Sequence, residues 1–159
     1  MDREWSPWRY QYVTGVKKET GCVFCRLASE FIDQTNFILH RGTNCYIVLN
    51  IYPYMSGHLL IIPFAHLSLL SELPKEASDE VMDLTKQCQF VLEKEYKPQG
   101  FNLGMNLGQA AGAGVAAHLH MHIFPRWFGD INFTTTVGET RILPEMLENT
   151  YQRLKPYFS

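Results

Sequence analysis

Residues 118–122 read His-Leu-His-Met-His, and no other stretch narrows the possible folds so far. Side chains of an extended strand alternate between faces, so the three imidazoles share one face, with Leu119, Met121 and Ile123 on the other. The segment 116–125 is therefore expected to be a strand that lays an apolar face on a core and exposes a face of imidazoles. Alternate Cα atoms in a strand lie ~6.6 Å apart, which sets the outer two histidines ~13 Å apart. One metal ion takes two neighbours but hardly all three. A row of phosphates matches the row of imidazoles better, with an exclusively metal role as the alternative.

The rest of the chain reads as the scaffold for that strand. NFILHR (36–41), with Phe37 and Leu39 on one face, and NCYIVLNI (44–51) read as two strands with Gly42 near the turn between them. HLLIIPF (58–64) and FNLGMNL (101–107) read as two more. Between them, Ala77, Val81, Leu84, Cys88 and Val91 recur every three or four residues, which predicts a helix over 75–97 that opens after Pro74 and closes at Pro98-Gln99-Gly100. A last helix is expected at about 144–155, opening with Pro144 and carrying Leu147, Tyr151 and Leu154 on one side. CVFCRLASE (22–30) reads as a short helix or knuckle, and residues 1–20 as an irregular arm. Strands with helices set outside them, and no regular βα alternation, predict an α+β fold: an antiparallel sheet of about five strands with a long helix and a C-terminal helix. The whole chain, 1–159, is expected to form one domain.

Charge narrows the partners. The 159 residues include 14 basic and 16 acidic side chains, so a nucleic-acid duplex, which needs a basic face, is not expected. No apolar run reaches the ~20 residues of a membrane span, and the opening MDREWSPWRY lacks a signal pattern. Only Cys22 and Cys25 of the four cysteines are close neighbours. A cytoplasmic protein with one Cys-x-x-Cys pair is the simpler reading.

Imidazole chemistry supplies the function. Neutral histidine is a good nucleophile near pH 7, and protonated neighbours can neutralise phosphate charge. His120, flanked on both sides, is the natural attacker. The loop GQAAGAG (108–114), joined directly to the histidine strand, can bring backbone N–H groups, Gly114 among them, to phosphate oxygens.

HLHMHIF carries the His-φ-His-φ-His-φ-φ signature, where φ is apolar, and resembles the histidine-triad superfamily. The likeness extends to the Cys-x-x-Cys pair, VLNIYPYMSGHLLIIP and GFNLGMNLG. The opening WSPWR and the tail segments PRWFGDINF and TRILPEML resemble the bacterial branch similar to diadenosine tetraphosphate phosphorylases. The resemblance implies that His120 becomes covalently nucleotidylated, that His122 contacts the phosphates and helps position the leaving group, and that His58 stands beside the triad as a fourth histidine. It matches Asn50 to a ribose-binding position, with a turn-forming Asn before Pro53 as the alternative, and Asn106 to a polar position near the phosphates, with a loop Asn beside Gly108 as the alternative. Phe24, Ile51 and Tyr52 would then line an adenine slot, or serve simply as core. The resemblance also implies a Cys-Cys-His-His zinc site of Cys22, Cys25, His66 and His118, with the buried or redox-active thiol pair as alternative. No redox cofactor is implied. Many members carry Gly-Gln-Ser/Thr ahead of the triad; this chain has Ala113-Gly114-Val115, which leaves water or phosphate open as the second-step acceptor.

The reaction expected is cleavage of an adenosine dinucleoside polyphosphate at the α-phosphate, hydrolytic or phosphorolytic, the latter giving ATP and ADP from diadenosine tetraphosphate. The rivals are a nucleotide-binding protein without turnover and a zinc-dependent hydrolase. A homodimer is expected from the family's habit of pairing sheet edges. Trp5, Trp8 and Arg9 either close over the site or pack the arm, and Arg126 meets a phosphate or forms a surface ion pair.

Overall fold

The computed structural model describes residues 21–130 and 145–158. The expectations for the arm 1–20, with Trp5, Trp8 and Arg9, for the tail motifs over 131–144 and for Pro144 as a helix start lie outside those residues.

Five antiparallel strands form one sheet in the order β1-β2-β3-β5-β4. They are β1 (Ile38–Arg41), β2 (Cys45–Leu49), β3 (Leu59–Pro63), β4 (Gly100–Gly104) and β5 (Met121–Arg126). Helix α1 (Val23–Ser29) covers one face; α2 (Lys75–Tyr96) and α3 (Leu147–Leu154) cover the other. Alternation divides the central strands between two cores. Cys45, Ile47 and Leu49 of β2 and Leu59 and Ile61 of β3 pack with Val81, Leu84, Cys88 and Leu92 of α2. Tyr46, Val48, Leu60 and Ile62 pack with Phe24 of α1. The α2 residues fall at helical spacing, so the apolar stripe read from the sequence is the buried one.

Seven residues make a helix too short to persist alone, and the sheet holds α1 in place. The Arg41 guanidinium donates to the carbonyls of Leu27, Ala28 and Glu30 at the helix end, and to the Asp33 carboxylate at 2.9 Å. These carbonyls have no partner within the helix. On the other flank, the buried Tyr46 hydroxyl donates to the Phe24 carbonyl at 2.8 Å.

Strand β5 begins at Met121, not at 116 as the alternation predicts. The ladder stops because side chains take its groups. The Pro63 carbonyl accepts from His118 Nε2, the His118 carbonyl accepts from His120 Nδ1, and Leu119 N–H turns to the Leu67 carbonyl. Side-chain alternation nevertheless continues through 118–120: Leu119 and Ile123 lie in the α2-side core, with Met121 packed against it. The other strands shorten as well. The backbone of Phe37 is left-handed (φ 55°), so β1 starts at Ile38 rather than at 36, and β4 ends at Gly104.

The turn before β3 leaves room only for glycine. Gly57 has φ 79°, and a Cβ there would stand 3.0 Å from Leu92 Cδ2 and 3.3 Å from Tyr96 Cε2, both on α2. This close approach seats the next residue, His58. Gly57→Ala combines a disfavoured backbone with a clash and is expected to destabilise the fold by about 1–3 kcal/mol. Urea unfolding followed by circular dichroism checks this; an unchanged midpoint would remove the role given to Gly57.

Candidate active site and adjoining metal centre

Helix α1, β3, the loop 50–57 and the approach to β5 converge on four histidines. His118, His120 and His122 are 1%, 5% and 8% exposed, and His58 is buried as well. The face expected to be exposed is therefore covered. Phe24 lies edge-on to the rings of His118 and His120, at 5.6 and 5.0 Å, while Tyr54 lies over His58 and His122.

Hydrogen bonds assign the protons. The His118 carbonyl can only accept, so His120 Nδ1, 2.8 Å away, carries the hydrogen. His120 Nε2 then holds a lone pair, and among the described residues nothing bonds to it. The backbone N–H of Tyr54 donates to His58 Nδ1 at 3.0 Å. In neutral His58 the proton sits on Nε2, which donates to His122 Nδ1 at 2.9 Å. In neutral His122 the hydrogen is thus on Nε2. That atom is buried and has no hydrogen-bond partner. The rings of His120 and His122 are 4.9 Å apart, so a free lone pair and an unanswered N–H belong to adjacent imidazoles.

Burial disfavours charge on His120 and His122. Desolvation and the neighbouring His120 push the His122 pKa down to about 4. Desolvation also lowers His120, opposed by its bond to the His118 carbonyl. In the unliganded chain burial thus disfavours the charged forms of His120 and His122.

The remaining expected residues are distributed as follows. Asn50 is half-buried; its Oδ1 accepts from Tyr52 N–H at 3.0 Å and its Nδ2 lies 3.3 Å from His58 Nδ1, so it shapes the turn and abuts the fourth histidine. Ile51 is exposed beside it, and Phe24 is buried in the core while touching His120. Asn106 is half-buried on the connection to β5, with no side-chain bond to the histidines among the described residues. In the small-residue loop, the amides of Ala111, Gly112 and Ala113 are taken by the carbonyls of Gly108 and Gln109. The amides of Gly114 and Val115 carry no hydrogen bond among the described residues. Arg126 pairs with Asp130 at 2.8 Å and with Asn102 at 2.5 Å, which makes it a surface ion pair. Tyr54 went unnoticed in the sequence, where a tyrosine after Pro53 reads only as part of a turn.

The His118 ring has a different set of partners. Its Nε2–H donates to the Pro63 carbonyl at 2.9 Å, which leaves a lone pair on Nδ1. This nitrogen is 3.3 Å from Cys22 Sγ and 3.6 Å from Cys25 Sγ, and His66 Nδ1 is 3.2 Å from Cys25 Sγ. All four donor atoms lie within 4.8 Å of one another. Tetrahedral zinc with S and N ligands needs S–N edges of about 3.5 Å, and a zinc-binding histidine commonly gives its other N–H to a carbonyl. The donor set and its spacing fit such an ion. The sequence brought Cys22 and Cys25 together by local spacing; the fold brings in His66 and His118.

Comparison with known proteins agrees with this geometry. Residues 33–129 match the HIT domain family. A Mycobacterium tuberculosis protein named AP-4-A phosphorylase is 36% identical over 162 residues, spanning 97% of this chain and 83% of that protein. A zinc-bound histidine triad family protein from Mycobacterium smegmatis superposes with a TM-score of 0.69 at 26% identity, over 86% of this chain and 92% of that one. A protein from Sulfolobus tokodaii described as a hypothetical histidine triad nucleotide-binding protein gives the same TM-score at 25% identity, over 86% of this chain and 91% of that one. With its paired imidazoles, its sheet order and these relatives all in agreement, the chain belongs to the HIT domain family, the histidine-triad proteins.

Proposed function

We propose that this protein is a nucleotidyl hydrolase or phosphorylase that cleaves adenosine dinucleoside polyphosphates through a nucleotidyl-His120 intermediate. The observation that carries this reading is the pair formed by the unbonded His120 Nε2 and the buried, unpartnered His122 Nε2. The first is a nucleophile with its proton already placed on the far nitrogen. The second is a donor that an incoming oxygen would satisfy; leaving it unmade in the interior costs about 1–3 kcal/mol.

In the first step His120 Nε2 attacks the α-phosphorus and forms an N–P bond. The bond from that phosphorus to its bridging oxygen breaks, and the bridging oxygen leaves with the remaining phosphates. His122 Nε2–H hydrogen-bonds that oxygen as its charge grows, while the His118 carbonyl stabilises charge on His120 through Nδ1. In the second step water or inorganic phosphate attacks the same phosphorus and releases Nε2. Water yields a nucleoside monophosphate; phosphate yields a nucleoside diphosphate, so diadenosine tetraphosphate would give ATP and ADP.

The amides of Gly114 and Val115 suit the non-bridging oxygens. Asn50 and Asn106 would meet ribose and phosphate, and Phe24 and Ile51 the base. The relative named AP-4-A phosphorylase supports the dinucleotide as substrate. His120→Ala is expected to lose at least about a thousandfold in rate. Products should be identified with and without inorganic phosphate, alongside mass spectra of base-quenched protein. No adduct on His120 and an unchanged rate in the variant would sink the covalent route. Saturable nucleotide binding without turnover would favour a binding protein.

Cys22, Cys25, His66 and His118 would hold zinc, which when bound would supply a structural tie between α1 and the approach to β5. Thiolate ligands suit a reducing compartment, which supports a cytoplasmic location; no helix among the described residues is long and apolar enough to cross a membrane. About one zinc per chain is expected after purification without chelator, with Cys25→Ser lowering both zinc content and the unfolding midpoint. Less than about a tenth of an equivalent would reject the site.

Pairing of two chains is supported by the contrast between the sheet's edges. At β1, Tyr151 and Lys155 donate to the carbonyls of Ile38 and Leu39, whereas β4 leaves Leu103 49% exposed at the opposite edge. Light scattering is expected to report twice the chain mass, and a single-chain mass at tens of micromolar would exclude the dimer.

A further inference from the structure

Tyr54 contributes to the histidine cluster twice, by backbone and by ring. Its N–H donates to His58 Nδ1 at 3.0 Å. Its ring lies 4.6 Å from the His58 ring and 5.8 Å from the His122 ring, nearly parallel to the latter at 13°. Phe124 completes the enclosure, 5.6 Å from Tyr54 at 90° and 4.8 Å from His58. The His58–His122 hydrogen bond therefore runs within aromatic walls.

Two neutral imidazoles sharing one hydrogen bond can place the proton either way round. In one arrangement His58 donates from Nε2 and His122 keeps an N–H on its own Nε2. In the other, His122 donates from Nδ1 and its Nε2 becomes an acceptor, which cannot stabilise a leaving oxygen. The second arrangement puts a hydrogen on His58 Nδ1, pointing at the Tyr54 N–H and at Asn50 Nδ2, 3.3 Å away. Three donors then face one another, a conflict that water among them would relieve. The Tyr54 ring packs against both His58 and His122 and limits the room for such a water.

We propose that Tyr54 is a positioning residue, whose ring shields the His58–His122 pair and so holds His122 in the tautomer that presents an N–H to the leaving group. This rests on the nucleotidyl-transfer reading for its catalytic consequence, but the tautomer itself exists in the unliganded chain. Tyr54 is 38% exposed, at the rim of the cluster and outside both cores, so truncation removes cover rather than scaffold.

The test compares Tyr54→Phe, Tyr54→Leu and Tyr54→Ala in the full chain. Imidazole nitrogen chemical shifts of 15N-histidine-labelled, unliganded protein report the His58 and His122 tautomers. Turnover of diadenosine tetraphosphate reports the consequence. Tyr54→Phe is expected to keep the single His122 Nε2–H signature and to retain kcat within about twofold. Tyr54→Ala and Tyr54→Leu are expected to show mixed tautomers, with kcat down at least about tenfold and KM changed less than about threefold. Leucine retains bulk, so it is read in place of alanine if the latter unfolds. A single Nε2–H tautomer in both ring-less variants overturns the proposal, as does a Phe variant that falls as far as Ala. If no dinucleotide is turned over, the nitrogen shifts decide the positioning role alone, while the His120 adduct separately decides the proposed function.

Discussion

Burying imidazoles without charging them is the constraint on which the rest of this structure depends. A neutral ring has one donor and one acceptor, and the interior tolerates neither unmet. Here almost every nitrogen is assigned. His118 gives its Nε2–H to Pro63, His120 gives its Nδ1–H to the His118 carbonyl, and His58 accepts from Tyr54 and donates to His122. What is left over is the chemistry: a lone pair on His120 and an N–H on His122, on rings 4.9 Å apart. The fold does not need to generate a reactive group at the moment of reaction. It needs to hold neutral rings in one orientation, and burial does so while keeping the pKa values of His120 and His122 low.

The covers that create this burial are themselves weak elements made firm by the sheet. Helix α1 is one short segment whose end is held by Arg41 and whose flank is held by Tyr46. It presents Phe24 to His120 and, on either side of Phe24, the two thiols that face His118. His118 thus belongs to two arrangements at once. Its ring looks toward the cysteines and its carbonyl anchors the nucleophile, so an alteration at the cysteine cluster reaches His120 through a single residue. On the far side of the histidine cluster the loop 50–57 has the same character. It is pinned by the approach of Gly57 to α2 and by the Asn50–Tyr52 turn.

Much of this was legible in the residues. The helical stripe of α2, the places of the strands along the chain and the common orientation of His118, His120 and His122 follow from local periodicity, which backbone geometry imposes without regard to what lies across the sheet. The exposure of the imidazoles and the length of β5 were misjudged, and for one reason. Both depend on segments distant in sequence: α1 and Tyr54, which cover the histidines, and Pro63 and Leu67, whose carbonyls draw the chain away from ladder pairing. Asn50 shows the same limit. Its turn-forming hydrogen bond could be anticipated, but its contact with His58 depends on how the hairpin closes.

The sequence by itself determined which residues can react, and on which side of the backbone they stand, because alternation of side chains is a property of the extended chain. It also paired Cys22 with Cys25, which one turn of helix holds close. Only the tertiary structure decided which nitrogen of each ring bears a proton, and that His66 and His118 meet the cysteine pair. Protonation follows from the partner facing each nitrogen, and those partners lie up to 96 residues away along the chain.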